Sequence, residues 1–359
     1  MARTVVPFGP QHPVLPEPVH LKLELDDEKV VGVTPIIGYV HRGIEKAAEL
    51  NSFRQNVFLC ERICGICSFI HALTYCQGIE ALMGVEVPTR ARFLRVFWSE
   101  LSRIHSHLLW LGLFADGMGF ESLFMQCWRV RELALDILEM TAGHRVITST
   151  CSIGGVRRDI DKEMAKEVEA RLLKLREMMD NTVAPAVLHD PTIKRRTVGK
   201  GMLSKEQAAL LGAVGPTARG SGVAIDIRQT GYAAYEEVGF EPVVETAGDS
   251  YARTVVRLRE TYQSLELIHK SLAMMPDGEI LVKVDGYPEG ETVSRSEQPR
   301  GELIYYLRGN GTRNLERLKI RTPTFANIPA LLVMLPGCEL ADVPVITLSI
   351  DPCISCTER

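Results

Sequence analysis

The chain has 359 residues, of which 46% are hydrophobic and 24% are charged, and its formal net charge is −4. This composition is ordinary for a globular protein, and an aromatic content of 6% without a basic face gives no support to nucleic-acid binding. The longest apolar run, at 328–335, is interrupted by Pro329 and is far shorter than the roughly 20 residues that span a bilayer. Any membrane association is therefore expected to come through partner subunits. Nine cysteines without a signal-like N-terminus predict reduced thiols in a cytoplasmic setting.

Hydrophobic periodicity predicts a mainly helical chain. Residues 1–20 are proline-rich and irregular, and alternating apolar residues at 21–25 and 30–33 predict two short strands joined by a turn. Apolar residues at three- and four-residue spacing then predict helices over 44–82, 89–114, 121–145, 159–179 and 251–275. After residue 277 the Gly- and Pro-rich sequence predicts short strands and loops.

These elements predict an α+β fold that is predominantly α, with a bundle of long helices and small β-sheets at its periphery. The N-terminal β region would cover about residues 1–40, the helical bundle about 44–275, and the C-terminal strand and loop region about 277–359. We expect residues 1–359 to form a single intertwined domain, because the cysteine pattern links the two ends of the chain.

Two matched Cys-x-x-Cys pairs lie at opposite ends of the sequence, Cys64-Gly-Ile-Cys67 and Cys353-Ile-Ser-Cys356. A two-residue gap lets both sulfur atoms of a pair enter one coordination sphere, and soft thiolates select thiophilic metals. The segment before the second pair, Val343–Ile350, is apolar, so the end of the chain is expected to turn into the interior. If both pairs meet at one centre, a metal ties the two ends together.

The residues by themselves leave other interpretations open. Free cysteines are often simply buried, and this interpretation suits four of them: Cys76, Cys127, Cys151 and Cys338. A structural zinc site would use the same two pairs, although zinc ribbons separate their pairs by only roughly 15–20 residues. An iron–sulfur site on Cys60, Cys64 and Cys67 would have the spacing of radical SAM enzymes, but that family needs alternating strands and helices.

The residues around the pairs carry a family resemblance. Arg62-Ile-Cys64-Gly-Ile-Cys67-Ser-Phe-Ile-His71 resembles the first metal-binding motif of the nickel–iron hydrogenase large subunit, and Asp351-Pro-Cys353-Ile-Ser-Cys356 resembles the second. Gly9-Pro-Gln-His-Pro13, Leu21–Leu25 and His41-Arg-Gly-Ile-Glu-Lys46 are similar to both the quinone-site subunit of respiratory complex I and the energy-converting hydrogenases. The complex I subunit lacks the four cysteines, so the chain most resembles the Ech-type, energy-converting branch.

This resemblance implies a nickel–iron centre and the reaction H2 ⇌ 2 H+ + 2 e−. Cys64 and Cys353 would be terminal nickel ligands, and Cys67 and Cys356 would bridge nickel and iron. The iron would carry carbonyl and cyanide ligands, and cyanide nitrogens need hydrogen-bond donors in an apolar pocket.

Further residues are assigned through the same resemblance. Arg300, in Gln298-Pro-Arg-Gly301, is the candidate donor above the metals, and the Thr324 hydroxyl is the candidate donor to the other cyanide. His71 is expected beside Cys67, with a packed helix histidine as the alternative. The residues expected to surround the ligands without binding metal are Arg62, His71, Thr324 and Asp351.

Protons need a route away from such a centre. The resemblance makes Cys353 the first proton acceptor and Glu17 the relay carboxylate, with Glu24 as the fallback. A carboxylate whose pKa is raised by burial suits a relay. His105 and His107 are either buried polar residues or part of a proton route.

One departure from the family pattern concerns a metal outside the active centre. Uptake hydrogenases end in a histidine that binds a structural magnesium together with a glutamate. Here the corresponding residues are Arg359 and Glu45, and arginine cannot ligate a metal because it stays protonated. We predict an ion pair between Glu45 and Arg359 in place of that site.

The resemblance also implies partners, because the chain has no second cysteine set for an iron–sulfur cluster. The expected partners are a small subunit with a proximal 4Fe-4S cluster, a ferredoxin-like iron–sulfur subunit, integral membrane ion-translocating subunits, and ferredoxin as electron partner. The chain would then lie on the cytoplasmic face of the membrane. The alternative is a complex I-like coupling subunit without a catalytic metal.

Overall fold

The computed structural model describes residues 3–359 and contains three small antiparallel sheets. The strands are β1 (Thr4–Phe8), β2 (His20–Asp26), β3 (Lys29–Ile36), β4 (Cys151–Ser152), β5 (Gly155–Val156), β6 (Glu289–Gln298), β7 (Gly301–Asn310) and β8 (Leu315–Arg321). They pair in the orders β1-β2-β3, β4-β5 and β6-β7-β8. In β2 the alternation is clear, since Leu21, Leu23 and Leu25 are buried while Lys22 faces outward.

Helices form most of the remaining structure. They are α1 (Ile44–Leu50), α2 (Asn56–Glu61), α3 (Ser68–Met83), α4 (Thr89–Gly117), α5 (Glu121–Ala142), α6 (Lys162–Met178), α7 (Ala184–His189), α8 (Pro191–Thr197), α9 (Lys205–Leu210), α10 (Gly215–Arg219), α11 (Tyr235–Val238), α12 (Ser250–Met274), α13 (Pro323–Met334), α14 (Val343–Ser349) and α15 (Ile354–Glu358). Short 3-10 turns lie at Ile227–Thr230 and Leu340–Asp342, and a π turn at Met179–Val183 joins α6 to α7. The predicted fold class, predominantly α with small peripheral sheets, is confirmed.

The long helices form the bundle on which the site is built. Helix α4 packs along α5 and α12 and also contacts α3 and α14, so it is surrounded on most sides. Its buried face includes polar side chains as well as apolar ones, among them Glu100, Arg103 and His107. A helix with buried charges in the centre of a domain needs partners for them, and those partners come from α12, β6 and the 3-10 turn at Ile227–Thr230.

The long helices begin and end at residues that explain their limits. Asp161 and Asp249 accept hydrogen bonds from backbone N–H groups in the first turns of α6 and α12. Helix α5 ends three residues before the predicted limit, because Gly143 takes the left-handed conformation with φ 81°.

Three predicted regions differ from the structure. Residues 1–20, predicted to be irregular, contain strand β1 (Thr4–Phe8), which forms because it pairs antiparallel with β2. The segment predicted as one helix over 44–82 is divided into α1, α2 and α3, because Phe53 N donates to Arg313 O at 3.0 Å and holds the break after α1 in place. The C-terminal region contains helices α13, α14 and α15 in addition to strands. Pro323 occupies the first turn of α13, where its missing N–H costs nothing.

One large apolar core joins the bundle to the C-terminal sheet. It includes side chains from α3, α4, α5 and α12, together with Leu303, Tyr305 and Leu307 of β7 and the thiols of both cysteine pairs. A second cluster packs the β1–β3 sheet against α13 and α14. Both ends of the chain therefore meet the bundle close to the cysteines.

Candidate metal centre

The first cysteine pair lies in the loop between α2 and α3. Helix α2 ends at Glu61, and Cys67 immediately precedes α3. Ile66 N donates to the Cys64 sulfur at 3.4 Å, which folds the loop around that sulfur. Cys64 is 4% exposed and Cys67 is fully buried, so both thiols face the interior.

The second pair lies between α14 and α15. Asp351 takes a left-handed conformation with φ 56°, and Cys353 precedes the first residue of α15. Trp110 Nε1 donates to Leu348 O at 2.7 Å, which fixes the end of α14 against α4. Residues 350–359 are buried or nearly so, as the apolar approach predicted.

The two pairs meet in the interior. The Cys64 and Cys353 sulfur atoms are 3.5 Å apart, and those of Cys67 and Cys356 are 3.6 Å apart. The sulfur atoms of Cys64, Cys67 and Cys356 lie within 4.8 Å of one another. Each cysteine of the first loop thus faces one cysteine of the second, so any metal held here is shared by both ends of the chain.

The chemistry of these donors fits a soft transition metal. Sulfur atoms 3.5 and 3.6 Å apart, as in these two facing pairs, can share one coordination sphere, since metal–sulfur bonds are about 2.3 Å long. Apart from each other, their close polar contacts are the Ile66 backbone N–H and the His71 ring. Cys60 is fully buried but lies outside this group, so the spacing Cys60, Cys64 and Cys67 does not form one cluster.

The pKa values of the thiols are shifted in different directions. Hydrogen bonds from Cys353, Cys356 and Cys67 hold the pKa of the Cys64 thiol well below its ordinary value. Burial raises the pKa of the Cys67 and Cys356 thiols. Because metals bind the deprotonated sulfur, loading this cluster releases protons.

Arg300 is fixed beside the thiols by the turn between β6 and β7. Its Nε donates to Asp351 O at 2.9 Å, and its Nη2 pairs with Asp351 Oδ1 at 2.8 Å. Its Nη1 lies 3.4 Å from Ser106 Oγ. Although burial opposes the charge, the anionic Asp351 and the thiols hold the pKa of Arg300 above its ordinary value. The turn approaches α10 so closely that a Cβ at Gly301 would lie 2.7 Å from Gly215 N.

Thr324 and His71 also contact the cysteines. Thr324 Oγ1 accepts a hydrogen bond from Cys353 N at 3.1 Å, which leaves its own proton free for another acceptor. His71 Nε2 lies 3.4 Å from the Cys356 sulfur, and its Nδ1 lies 2.8 Å from the Tyr305 hydroxyl. The sequence placed His71 beside Cys67, whereas its ring contacts Cys356. Burial lowers the pKa of His71 to about 4, so the ring is neutral.

Glu17 reaches the same centre from the N-terminal segment. Its Oε2 accepts hydrogen bonds from Ile354 N and, at 2.9 Å, from Ser355 N, and its Oε1 accepts from Ser355 Oγ. Glu17, Cys353 and Arg300 line a mainly apolar cavity of about 230 Å³. This cavity gives a small molecule room next to the Cys353 sulfur.

Four other predicted residues have partners away from the thiols. Arg62 is half-exposed and donates to Glu61 and to Phe58 O, and Glu24 pairs with Arg3 on the surface of the sheet. His105 Nδ1 accepts from the Arg131 guanidinium at 2.8 Å, and His107 Nε2 donates to Glu260 Oε2 at 2.8 Å. Burial lowers the pKa of these histidines to about 3 and about 4, respectively, which favours the interpretation of both as neutral buried polar residues.

Glu45 and Arg359 lie in contact. Arg359 Nε is 2.9 Å from Glu45 Oε1, and the same oxygen accepts from Ile320 N at 3.0 Å. Lys319 Nζ lies 3.0 Å from the other carboxylate oxygen. The carboxylate is therefore surrounded by donors and positive charge.

Three residues that position the centre from a distance were not predicted from the sequence: Arg42, Ser106 and Tyr305. Arg42 donates to Arg62 O at 2.8 Å and to Ile63 O at 2.7 Å, and lies 3.4 Å from Ser355 O, so it joins both cysteine loops. Tyr305 contacts His71 from β7, and Ser106 contacts Arg300 from α4. Arg42 lies in a motif that the sequence analysis quoted, but nothing local marks Tyr305 or Ser106.

No helix within residues 3–359 combines the length and the apolar character needed to cross a membrane.

Comparison with known proteins finds relatives of two kinds, hydrogenases and NADH dehydrogenases. The family model of the 49 Kd subunit of respiratory-chain NADH dehydrogenase matches residues 117–287 and 285–359, and that of nickel-dependent hydrogenases matches residues 42–113. The carbon monoxide-induced hydrogenase of Rhodospirillum rubrum is 43% identical over 100% of both chains. The membrane-bound hydrogenase subunit alpha of Pyrococcus furiosus is 40% identical over 99% of this chain and 87% of its own length.

A relative from the NADH dehydrogenases is also similar over almost the whole of this chain. An NADH-quinone oxidoreductase subunit of Koribacter versatilis is 36% identical over 97% of this chain and 94% of its own length. The four converging cysteines and these matches lead to one assignment: the chain belongs to the nickel–iron hydrogenase large-subunit family, in the energy-converting branch related to respiratory complex I.

Proposed function

We propose that this chain is the catalytic large subunit of a membrane-associated, energy-converting nickel–iron hydrogenase that interconverts H2 with protons and electrons. The observation that carries the proposal is the convergence of four buried thiols from both ends of the chain, with sulfur distances of 3.5 and 3.6 Å. Its hydrogenase relatives support an oxidoreductase function, and one of them is named as part of a membrane-bound enzyme.

In this proposal Cys64, Cys67, Cys353 and Cys356 would together hold the nickel–iron centre. When bound, a nickel–iron centre with carbonyl and cyanide on the iron supplies the two-electron chemistry of hydrogen. Thiolates suit it because soft sulfur donors stabilise nickel. The apolar wall of the neighbouring cavity keeps bulk water away and strengthens the polar contacts made inside it.

Two side chains beside the thiols offer hydrogen-bond donors to groups bound there. Arg300 is held by Asp351 at two positions, so its remaining N–H groups are fixed next to the thiols. The free proton of the Thr324 hydroxyl can serve a second acceptor near Cys353. In an apolar pocket, such donors are where cyanide nitrogens find hydrogen bonds.

Cys353 and Glu17 move the proton. The Cys353 sulfur takes it first, and the Glu17 carboxylate receives it across the cavity that both residues line. The Ser355 hydroxyl, which donates to Glu17 Oε1, can rotate and accept instead, so that Glu17 can hold a proton. His105 and His107 are neutral and bonded elsewhere, so they are not needed for this path.

Electrons leave through other subunits in this proposal. The partners are a small subunit with a proximal 4Fe-4S cluster, a ferredoxin-like iron–sulfur subunit and integral membrane ion-translocating subunits, with ferredoxin as electron partner. Within the described residues, the one group of three or more metal-ligating side chains is the thiol cluster itself. The chain would lie peripherally on the cytoplasmic face of the membrane, held by its partners.

A second function is favoured by a separate observation. The match to the 49 Kd subunit of NADH dehydrogenase covers most of the chain, and an NADH-quinone oxidoreductase relative is 36% identical. This similarity suits a coupling subunit without catalytic metal. Nickel content separates the two functions.

The deciding experiment is an infrared spectrum of the purified complex together with its nickel content. We expect one carbonyl band and two cyanide bands, and their loss in Cys353→Ser. Cys127→Ser is the matched control, because Cys127 is equally buried but lies on α5 outside the thiol cluster. Nickel-loaded, hydrogen-active protein without these bands would refute the proposed centre, and nickel-free protein in the assembled complex would favour the coupling subunit.

A further inference from the structure

A buried hydrogen-bond chain extends from the thiol cluster into the core. His71 on α3 contacts the Cys356 sulfur through Nε2 at 3.4 Å and the Tyr305 hydroxyl through Nδ1 at 2.8 Å. The His71, Tyr305 and Cys356 side chains are fully buried, so water does not compete for these contacts.

Metal binding fixes the direction of this chain. A ligating cysteine is a thiolate and can only accept a hydrogen bond. His71 Nε2 must then carry the proton that faces Cys356. A neutral imidazole has one N–H, so Nδ1 is an acceptor, and the group that faces it is the Tyr305 hydroxyl. Tyr305 therefore donates to His71 Nδ1.

We propose that Tyr305 is a positioning residue for the metal centre: by donating to Nδ1, its hydroxyl holds the His71 ring in the orientation in which Nε2 donates to the Cys356 sulfur. This inference rests on the proposed function, in which Cys356 would be a ligand of the metal centre. A hydrogen bond to a thiolate withdraws electron density from the sulfur, and outer contacts of this kind set the donor strength of the ligand. Loss of the Tyr305 hydroxyl should make Cys356 a stronger electron donor.

Tyr75 offers a matched control in the same core. Its ring centre is 6.5 Å from that of Tyr305, and both side chains are fully buried. The Tyr75 hydroxyl, however, donates to Phe53 O at 2.8 Å and lies outside the His71 chain. Tyr305→Phe and Tyr75→Phe each remove one buried hydroxyl, but only the first leaves His71 Nδ1 without a donor.

The experiment compares infrared spectra and redox titrations of the wild-type complex, Y305F and Y75F at equal nickel content. A more electron-rich sulfur donates more electron density to the metals. We therefore expect Y305F to shift the carbonyl and cyanide bands to lower frequency and to lower the midpoint potential of the metal centre. Y75F should keep the wild-type values. Bands and potential unmoved in Y305F would overturn the inference alone, and a wild-type complex without these bands would overturn the proposed function as well.

A second measurement does not depend on folding of the variant. Solid-state ¹⁵N NMR of histidine-labelled wild-type complex reports the protonation of each ring nitrogen, with the His71 signals assigned by their absence from H71Q. We expect Nε2 to be protonated and Nδ1 to be unprotonated. A protonated Nδ1 would show that His71 donates to Tyr305, which contradicts the proposed positioning role.

Discussion

Glu17 is one side chain placed for two tasks. Its carboxylate accepts hydrogen bonds from the first backbone N–H groups of α15, where negative charge is favoured. It also lines the cavity beside Cys353. A substitution that keeps the acceptor oxygen but removes the ionisable group separates these tasks.

Glu17→Gln provides that separation. The amide oxygen can still accept from Ile354 N and Ser355 N, so the metal centre should assemble with unchanged nickel content and infrared bands. Because general acid–base groups contribute roughly 10²–10⁴-fold, we expect the exchange of D2 with water to slow by at least about 100-fold. Glu24→Gln is the control and should exchange normally, since Glu24 pairs with Arg3 on the sheet. Full exchange activity in E17Q would remove Glu17 from the proton path.

The position of Arg300 depends on an ionic network that holds the turn between β6 and β7. A fully buried ionic network connects α4, α10, α12, β6 and the turn after α10. Its members are Glu100, Arg103, Arg219, Asp226, Arg228, Glu260 and Glu297. Arg103 also donates to Glu297 O at 2.9 Å and Gln298 O at 3.2 Å, which holds the turn that carries Arg300. This network has three guanidinium groups for four carboxylates, so one carboxylate is left without full compensation.

Glu297 is the carboxylate of this network that binds a proton most readily. Burial and the neighbouring Asp226 raise its pKa to about 7 from 4.5, although Arg219 and Arg103 oppose the shift. The folded protein thus binds this proton more tightly than the unfolded chain. The resulting stability is complete below about pH 4.5 and is lost as the pH rises through about 7. The difference is on the order of 3 kcal/mol.

Glu297→Gln should therefore weaken the dependence of stability on pH. The neutral amide resembles the protonated acid, so we expect the melting temperature to fall less between pH 5 and pH 8 than in the wild type. Glu302→Gln is the control, because Glu302 lies directly opposite on β7 but pairs with Arg295 and Arg321. Equal pH dependence in wild type and E297Q would contradict the assignment of the proton to Glu297.

At the scale of elements, the sequence predicts what local periodicity controls. Helices α4, α5, α6 and α12 lie within a few residues of their predicted limits, because each has a continuous apolar face. The break between α1 and α2 was missed, since Phe53 is held there by a backbone contact with Arg313, a residue distant in sequence. Helices α13 and α14 were missed because prolines make their sequences resemble loops, and α15 was missed because it has only five residues.

The candidate site divides in the same way. Cysteine spacing and the neighbouring motifs identify both thiol pairs, since these signals are local. Arg42, Ser106 and Tyr305 contact the site only through the tertiary fold and have no spacing that marks them. His71 was found by its motif, but its contact with Cys356 depends on how the chain end enters the interior.

Glu45 ties three distant parts of the whole molecule, namely α1, β8 and Arg359. Burial alone would raise the pKa of Glu45. Hydrogen bonds from Ile320, Lys319 and Arg359 instead hold this pKa below its ordinary value. A divalent ion would have to displace these donors and approach two cationic side chains. We expect neither magnesium nor a chelator to move the melting temperature, whereas Arg359→Ala should cost roughly 2 kcal/mol in unfolding titrations. Magnesium-dependent stabilisation of the wild type that Glu45→Gln abolishes would refute the ion pair.

The metal centre should join the two ends of the molecule without holding the bundle together. The contacts of α4 with α5 and α12 belong to a large apolar core that remains when the thiols lose their metal. The last segment, 351–359, otherwise depends on a few polar ties, including those from Glu17 and Arg42. Since metal binding to a folded site stabilises what the ligands connect, metal-free protein should exchange amide hydrogens faster in 351–359 and 62–71.

Hydrogen exchange with mass spectrometry tests this expectation. It compares the metal-loaded wild type with the variants C64S and C127S. C64S should lose protection in those two segments and keep it in α4, α5 and α12. C127S should match the wild type, because Cys127 lies outside the thiol cluster. Loss of protection throughout the bundle would mean that the centre holds the entire fold. Unchanged protection in 351–359 would mean that the polar ties alone keep the chain end inside, so that the site is preformed before metal arrives.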